Sequence, residues 1–127
     1  MIVMDSCIWV ALFSEKDSCH QKAYKIIENT FIEDVIINEH IYAETLNVLR
    51  NKTSDKECSD FINLLRSHKI DLEPMEKEIT TLANFIFFHN QKISFTDSII
   101  IAHAASTDSD FATFDFNLQK AWKKLKK

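Results

Sequence analysis

Short apolar runs alternate with helix-length stretches along this 127-residue chain, and that alternation limits its possible folds more than any other property of the sequence. Ile2 to Met4, Asp34 to Ile37, Ile70 to Leu72 and Phe111 to Phe114 each have the length and apolar character of a buried strand. Between them the sequence predicts helices from Ser6 to Phe13, from a Ser18 cap to Asn29, and from Glu39 to Asn51. A Ser54 cap opens another to Ser67, Pro74 suits the start of one reaching His89, and Ser94 or Thr96 starts one to Ser106. A Lys-rich helix ends the chain. A parallel neighbour needs a crossover long enough to hold a helix, so this order predicts a central parallel sheet with right-handed crossovers. We expect a single α/β domain over residues 1–127.

Composition removes several function classes. The chain has no glycine, which excludes the G-x-G-x-x-G fingerprint and the P-loop, and with them most nucleotide cofactors. Turns that need positive φ must then use Asn or Asp, and Asn29, Asn38, Asn51, Asn90, Asp108 and Asn117 are the candidates. Cys7, Cys19 and Cys58 are odd in number and unpaired by spacing, as expected of reduced thiols rather than a disulfide frame or a zinc site. No apolar run approaches the ~20 residues of a membrane span, and the first residues resemble no secretory leader. A cytoplasmic protein is the expectation. A net charge of −4 does not advertise a nucleic-acid binder.

Four carboxylates occupy positions that an apolar chain would not choose for them. Asp5 ends the first apolar run, and Glu44 interrupts the helical stretch Ile41 to Leu49. Asp97 opens the apolar helix that holds Ile100 and Ile101, and Asp115 follows the last strand. Open α/β sheets place their sites at the carboxyl ends of strands, where Asp5 and Asp115 are expected. On a helical wheel Glu44 borders the stripe of Tyr42, Leu46 and Leu49 and is flanked by Ile41 and Val48. Singly, each has a plain explanation: Asp5 a helix cap, Asp97 part of a capping box with Ser94, Asp115 a turn residue, Glu44 a solvated helix position. Together, with no basic residue near them in sequence, they point to a divalent cation, because buried charge is costly unless paired or metal-bound. An all-oxygen set favours Mg²⁺ or Mn²⁺.

Other candidates are weaker. The histidines show no H-E-x-x-H spacing and no nucleophile elbow is present, so His103 is read as a hydrogen-bonded core residue. Phe85 and Phe88 are read as core, leaving Phe87 to a flank or an oligomer contact. Arg50, Lys52 and the terminal lysines are candidate phosphate contacts. An apolar groove is expected between the helix of Tyr42, Leu46 and Leu49 and the segment of Trp9 and Phe13.

The succession of an apolar strand ending in Asp5-Ser6, Glu44 ahead of Leu46 to Arg50, Thr96-Asp97 before Ser98 to Ala104, and Ala112-Thr113-Phe114-Asp115 resembles the PIN domain, in particular its small VapC-type toxin ribonucleases. The resemblance spans nearly the whole chain and rests on order and spacing. It implies a three-layer α/β/α fold and Mg²⁺- or Mn²⁺-dependent endoribonuclease activity, with Asp5, Glu44, Asp97 and Asp115 as metal-binding acids and Ser6 and Thr113 as accessory hydroxyls. It also implies an RNA substrate, a small cognate antitoxin and a homodimer. The family often has glycine before the last strand, where this chain has Ser106 to Asp110. Three alternatives stand beside the toxin: an RNA-maturation nuclease of the same family, a non-catalytic binding module on this fold, and a phosphotransfer receiver. The receiver would need adjacent acids after the first strand and a Lys near the last, and this chain has neither.

Overall fold

The computed structural model describes residues 1–126. Strands β1 (Ile2–Met4), β2 (Val35–Asn38), β3 (Leu72–Glu73) and β4 (Asp110–Ala112) form one sheet in the order β3-β2-β1-β4. Every pairing is parallel; Ile2 stands opposite both Val35 and Asp110, and Ile37 opposite Leu72. The central strands are buried on both faces, which is why Val3, Met4, Val35, Ile36 and Ile37 read as continuous apolar runs.

Helices α1 (Ser6–Phe13), α2 (His20–Glu28), α3 (Glu39–Lys52), α4 (Asp55–Ser67), α5 (Lys77–His89), α6 (Phe95–Ser106) and α7 (Phe116–Leu125) flank the sheet. The larger core cluster joins β1 and β2 to α1, α3 and α4 through Trp9, Ile37, Leu49 and Phe61, with Ile100 of α6 completing it. A second cluster joins α5, α6 and α7 through Ile79, Ile86, Ile101 and Leu118. Among the described residues no helix is long and apolar enough to cross a membrane.

Several helix starts match the sequence because their caps are local. Asp5 caps α1, Ser54 caps α4, and Ser94 with Asp97 forms a capping box on α6. Ser18 does not cap α2, which starts later behind Cys19, whose amide is held by Asp17. Pro74 lies outside α5, which begins at Lys77. The strands also shift: Asp34 belongs to a 3-10 turn, β3 is Leu72–Glu73, and β4 ends at Ala112.

Among the described residues, positive φ occurs at Asp108 (52°) and at Lys69 (56°). Of the expected Asn and Asp positions only Asp108 is used. Asn29, Asn38 and Asn90 have negative φ, and Asn51 and Asn117 lie within helices. Both left-handed residues close Schellman motifs. Ile70 N–H donates to Leu65 O and Lys69 N–H to Arg66 O after α4, and Ser109 and Asp108 donate to Ala104 and Ala105 after α6.

Two packing expectations are corrected. Phe85 and Phe88 are 58% and 71% exposed, whereas Ile79, Ala83 and Ile86 carry the buried face of α5 and Phe87 is half-buried. The groove expected between Trp9, Phe13 and Tyr42 is filled: Phe61 of α4 packs on all three rings, with centroids 5.6–5.8 Å away. His103 is core as expected, and Asn38 Nδ2 lies 3.2 Å from its Nδ1. The Asn38 Oδ1 is taken by the Ile41 amide, so Nδ2 is the donor in that pair.

Candidate metal centre

The carboxyl ends of β1 and β4 and the first turns of α1, α6 and α7 meet at one edge of the sheet. Asp5 follows β1, is 4% exposed, and accepts the Ser6 amide on Oδ1 at 2.8 Å. Its Oδ2 accepts the Thr113 hydroxyl at 2.8 Å and the Cys7 thiol at 3.4 Å. Thr113 in turn accepts the Asp115 amide at 3.0 Å, which fixes its hydroxyl as donor to Asp5. One hydroxyl therefore ties the end of β1 to the turn into α7.

Asp97 is the third residue of α6, its side chain reaching back to the Ser94 amide at 3.5 Å. Asp115 stands past the end of β4 rather than on it, capping α7 through the Leu118 amide at 2.9 Å. These three acids sit at helix N-termini, where the macrodipole favours negative charge. Glu44 has no such role, lying mid-way along α3 at the border between its buried and solvated faces. The Ser6 hydroxyl donates to Glu44 Oε1 from α1.

The four charges feel one another. Burial raises the Asp5 carboxyl to about 6, with the Thr113 hydrogen bond opposing the rise and the Asp97 charge adding to it. Burial also raises Asp97, and the charges of Glu44 and Asp115 push in the same direction. Among the described residues no Lys, Arg or His nitrogen lies within 4.0 Å of any of these carboxylates; the ion pairs, Arg50–Asp55 and Lys56–Asp60, are elsewhere and exposed.

The donor set fits a hard divalent cation, since all donors are carboxylate or hydroxyl oxygens. Among the described residues no three His, Cys, Asp or Glu side chains stand close enough to wrap one ion as they are. Hydrogen bonds already engage the acids: Glu44, Asp97 and Asp115 each commit one oxygen to a neighbouring amide or hydroxyl, and Asp5 commits both. Glu44 Oε2, Asp97 Oδ1 and Asp115 Oδ2 carry no hydrogen bond among the described residues and are the oxygens left to ligate. A cleft of about 540 Å³ opens beside Glu44, lined also by His40, Asn47, Val48 and Thr96. A smaller one of about 230 Å³ runs past Ser6 and Cys7 to Lys52 and Phe114. Lys52 is therefore at the margin of the acidic edge, while Arg50 turns to Asp55 at 3.0 Å.

Cys7 carries more of the site than its sequence position suggests. Besides donating to Asp5, its Sγ accepts the Phe114 amide at 3.4 Å and lies 3.4 Å from the Thr113 hydroxyl. Desolvation and the Asp5 charge push the half-buried thiol up to about 12, so it serves as a donor rather than a thiolate. Gln119 is a second such residue, its Nε2 donating to Thr113 O at 2.7 Å. Cys7 has no signal in the sequence, because it acts across a contact that exists only once β1 and β4 pair, whereas Gln119 acts within the turn from β4 into α7.

The fold is shared with several solved proteins. VapC20 of Mycobacterium tuberculosis, a toxin that cleaves the sarcin-ricin loop, superposes with a TM-score of 0.83 at 18% identity, covering 95% of both chains. FitAcB of Neisseria gonorrhoeae gives 0.73 at 17% identity over 97% of this chain and 94% of that one. VapBC2 of Rickettsia felis, solved bound to a promoter DNA fragment, gives 0.68 at 14% identity over 95% and 93%. At these identities the likeness establishes the fold. No curated protein matches the sequence. The sequence itself matches the PIN domain over residues 2–124, and the chain belongs to that family.

Proposed function

We propose that this chain is a Mg²⁺- or Mn²⁺-dependent endoribonuclease and the toxin of a type II toxin–antitoxin pair. The observation that carries the reading is the gathering of Asp5, Glu44, Asp97 and Asp115 at one edge of the sheet, with no basic partner in reach among the described residues. Helix capping accounts for three of these acids, but it gives no reason for Glu44 to face the others from the middle of α3. Membership of the PIN family and a fold shared with the toxin VapC20 support the same reading.

Asp5, Glu44, Asp97 and Asp115 would hold the cation. When bound, it neutralises the acidic edge, lowers the pKa of a water and stabilises charge on the phosphate. The chain's own part is positional. Thr113 and Cys7 hold Asp5 in one rotamer, and the capping box holds Asp97. Ser6 holds one oxygen of Glu44 and leaves the other toward the cleft. Lys52, at the mouth of the smaller cleft, is placed for a phosphate. Structured RNA, either tRNA or rRNA, is the proposed substrate, and the ribosomal-loop cleavage of the structurally similar VapC20 favours this class.

The proposed partners are a small antitoxin, which directs a basic side chain at the acids, and a second copy of the chain. The two exposed phenylalanines of α5, Phe85 and Phe88, form an apolar patch suited to the copy–copy contact. The test is cleavage of tRNA and rRNA by the purified chain with Mg²⁺, with Mn²⁺ and with EDTA, repeated after co-expression with the reading frame upstream. Metal-dependent cleavage that the upstream product suppresses is the expected result. Cleavage without suppression leaves a family nuclease that is no toxin, and absence of cleavage with all metals removes the enzyme reading.

A further inference from the structure

Helix α7, capped by Asp115, carries an arrangement that the acidic site does not account for. Its inner face is apolar, Leu118 and Ala121 being buried and Trp122 and Leu125 half-buried. Its outer face presents Phe116, Lys120, Lys123 and Lys124, spaced i, i+4, i+7 and i+8, which is one stripe of a helix. All four are exposed, and α7 contains no acidic residue although the whole chain carries a net charge of −4. Positive charge is thus concentrated on one helix whose N-cap, Asp115, is one of the four acids.

Phe116 itself has no structural reason to be aromatic. It is 68% exposed and packs in neither core cluster. The Lys120 ammonium lies 5.4 Å from its ring centroid, so one face of the ring meets a cation and the rest meets solvent. Lys123 also lines a cleft of about 350 Å³ with Thr113, whose hydroxyl donates to Asp5, and Gln119, which donates to the Thr113 carbonyl. An exposed ring backed by a cation, followed along one helix face by further cations, is the combination that binds single-stranded nucleic acid: a base stacks on the ring and the backbone follows the charges.

We propose that the outer face of α7 is the track for a single-stranded RNA segment entering or leaving the acidic site, with one base stacked on Phe116 and successive phosphates on Lys120, Lys123 and Lys124. This deepens the nuclease reading, on which it rests, by placing the substrate's direction on the surface. Charge complementarity favours RNA over an apolar protein helix as the occupant, because three of the four outward residues are cations.

Binding of a labelled unstructured RNA oligonucleotide, followed by fluorescence anisotropy on an Asp97→Asn background that prevents cleavage, tests the proposal. Phe116→Ala should weaken binding about tenfold and Phe116→Trp should preserve it. Lys120→Ala with Lys123→Ala should flatten the salt dependence, lowering the slope of log K against log salt by roughly 1.4, or about 0.7 for each phosphate that is no longer neutralised. The same double change on α2, Lys22→Ala with Lys25→Ala, should leave the slope unaltered. RNA affinity unchanged in Phe116→Ala and a slope unchanged in the α7 double variant would overturn the track. So would loss of a co-purified antitoxin with RNA binding intact, which would make the face a protein contact. Metal-dependent cleavage by the wild-type chain is scored separately. Cleavage with unmoved affinities removes the track and leaves the nuclease, whereas no cleavage with the expected losses removes the nuclease and leaves the track.

Discussion

Asp97 is the acid on which the electrostatics of the edge converge, since its charge raises Asp5 while those of Glu44 and Asp115 act on it. Asp97→Asn keeps the shape and the Oδ contact to the Ser94 amide, and removes one charge from a crowded group. In EDTA the variant should melt above the wild type, because repulsion and desolvation both fall. In Mn²⁺ the order should reverse, and RNA cleavage should drop at least about a hundredfold. Wild-type cleavage by this variant would show that Asp97 holds no catalytic cation. Asp5 contributes to the pH dependence of the metal-free protein, with Asp97 acting in the same direction and His103, which burial lowers, in the opposite one. Folded, the Asp5 carboxyl keeps a proton up to about pH 6, against 3.8 for the unperturbed group. Between those values the folded chain binds more protons than the unfolded one, so stability falls as pH rises through the window and is not regained above it. The shift corresponds to roughly 3 kcal/mol. Urea unfolding in EDTA across the window should show that decline, and saturating Mn²⁺ should abolish or invert it because the ion favours the charged form.

At the scale of elements, the two left-handed positions show what a chain without glycine has to accept. Lys69 closes the Schellman motif after α4 at a φ that crowds its Cβ. Lys69→Gly should therefore stabilise the protein by about 0.5–1 kcal/mol, less the extra freedom glycine gives the unfolded chain, as read by chemical denaturation. Lowered stability would mean that the Lys69 side chain contributes more than its backbone strain costs. Helix α4 owes its place to Phe61, which is fully buried against Trp9, Phe13 and Tyr42. Phe61→Ala should cost about 3–5 kcal/mol, since an interior ring is removed and its cavity collapses only in part. Because no residue of α4 hydrogen-bonds any of the four acids among the described residues, metal affinity per folded molecule should be unchanged. A matching loss of metal affinity would couple α4 to the site.

For the whole molecule, the acidic edge is a place where the fold tolerates repulsion that the proposed ion would remove. Addition of Mn²⁺ should raise the melting temperature in proportion to occupancy, reaching about 2.7 kcal/mol of stabilisation at a hundred times the dissociation constant. An unchanged midpoint with no heat of binding would assign the chain to a non-catalytic PIN-fold module. Much of this architecture is legible in the sequence because it is written in local signals. Buried strands advertise themselves as unbroken apolar runs, and Asp5, Ser54 and Ser94 mark helix starts because a cap bonds to amides within three residues. The four acids stand out because each interrupts or borders an apolar stretch. Other features depend on what lies across space. Helix α5 has two overlapping apolar stripes, and only the approach of α6 selects Ile79, Ala83 and Ile86 as its buried face over Phe85 and Phe88. The groove beside Trp9 closes because α4 folds back onto α1 and α3, a contact that no periodicity encodes. Cys7 joins the site only when the parallel pairing of β1 with β4 brings Thr113 and Phe114 to its sulfur. Local signals along the chain specify the elements, their parallel order and the acids, since these follow from neighbouring residues. The tertiary structure alone decided which faces are covered and which hydrogen bonds hold the acids apart, since those contacts join residues as far apart as Asp5 and Thr113.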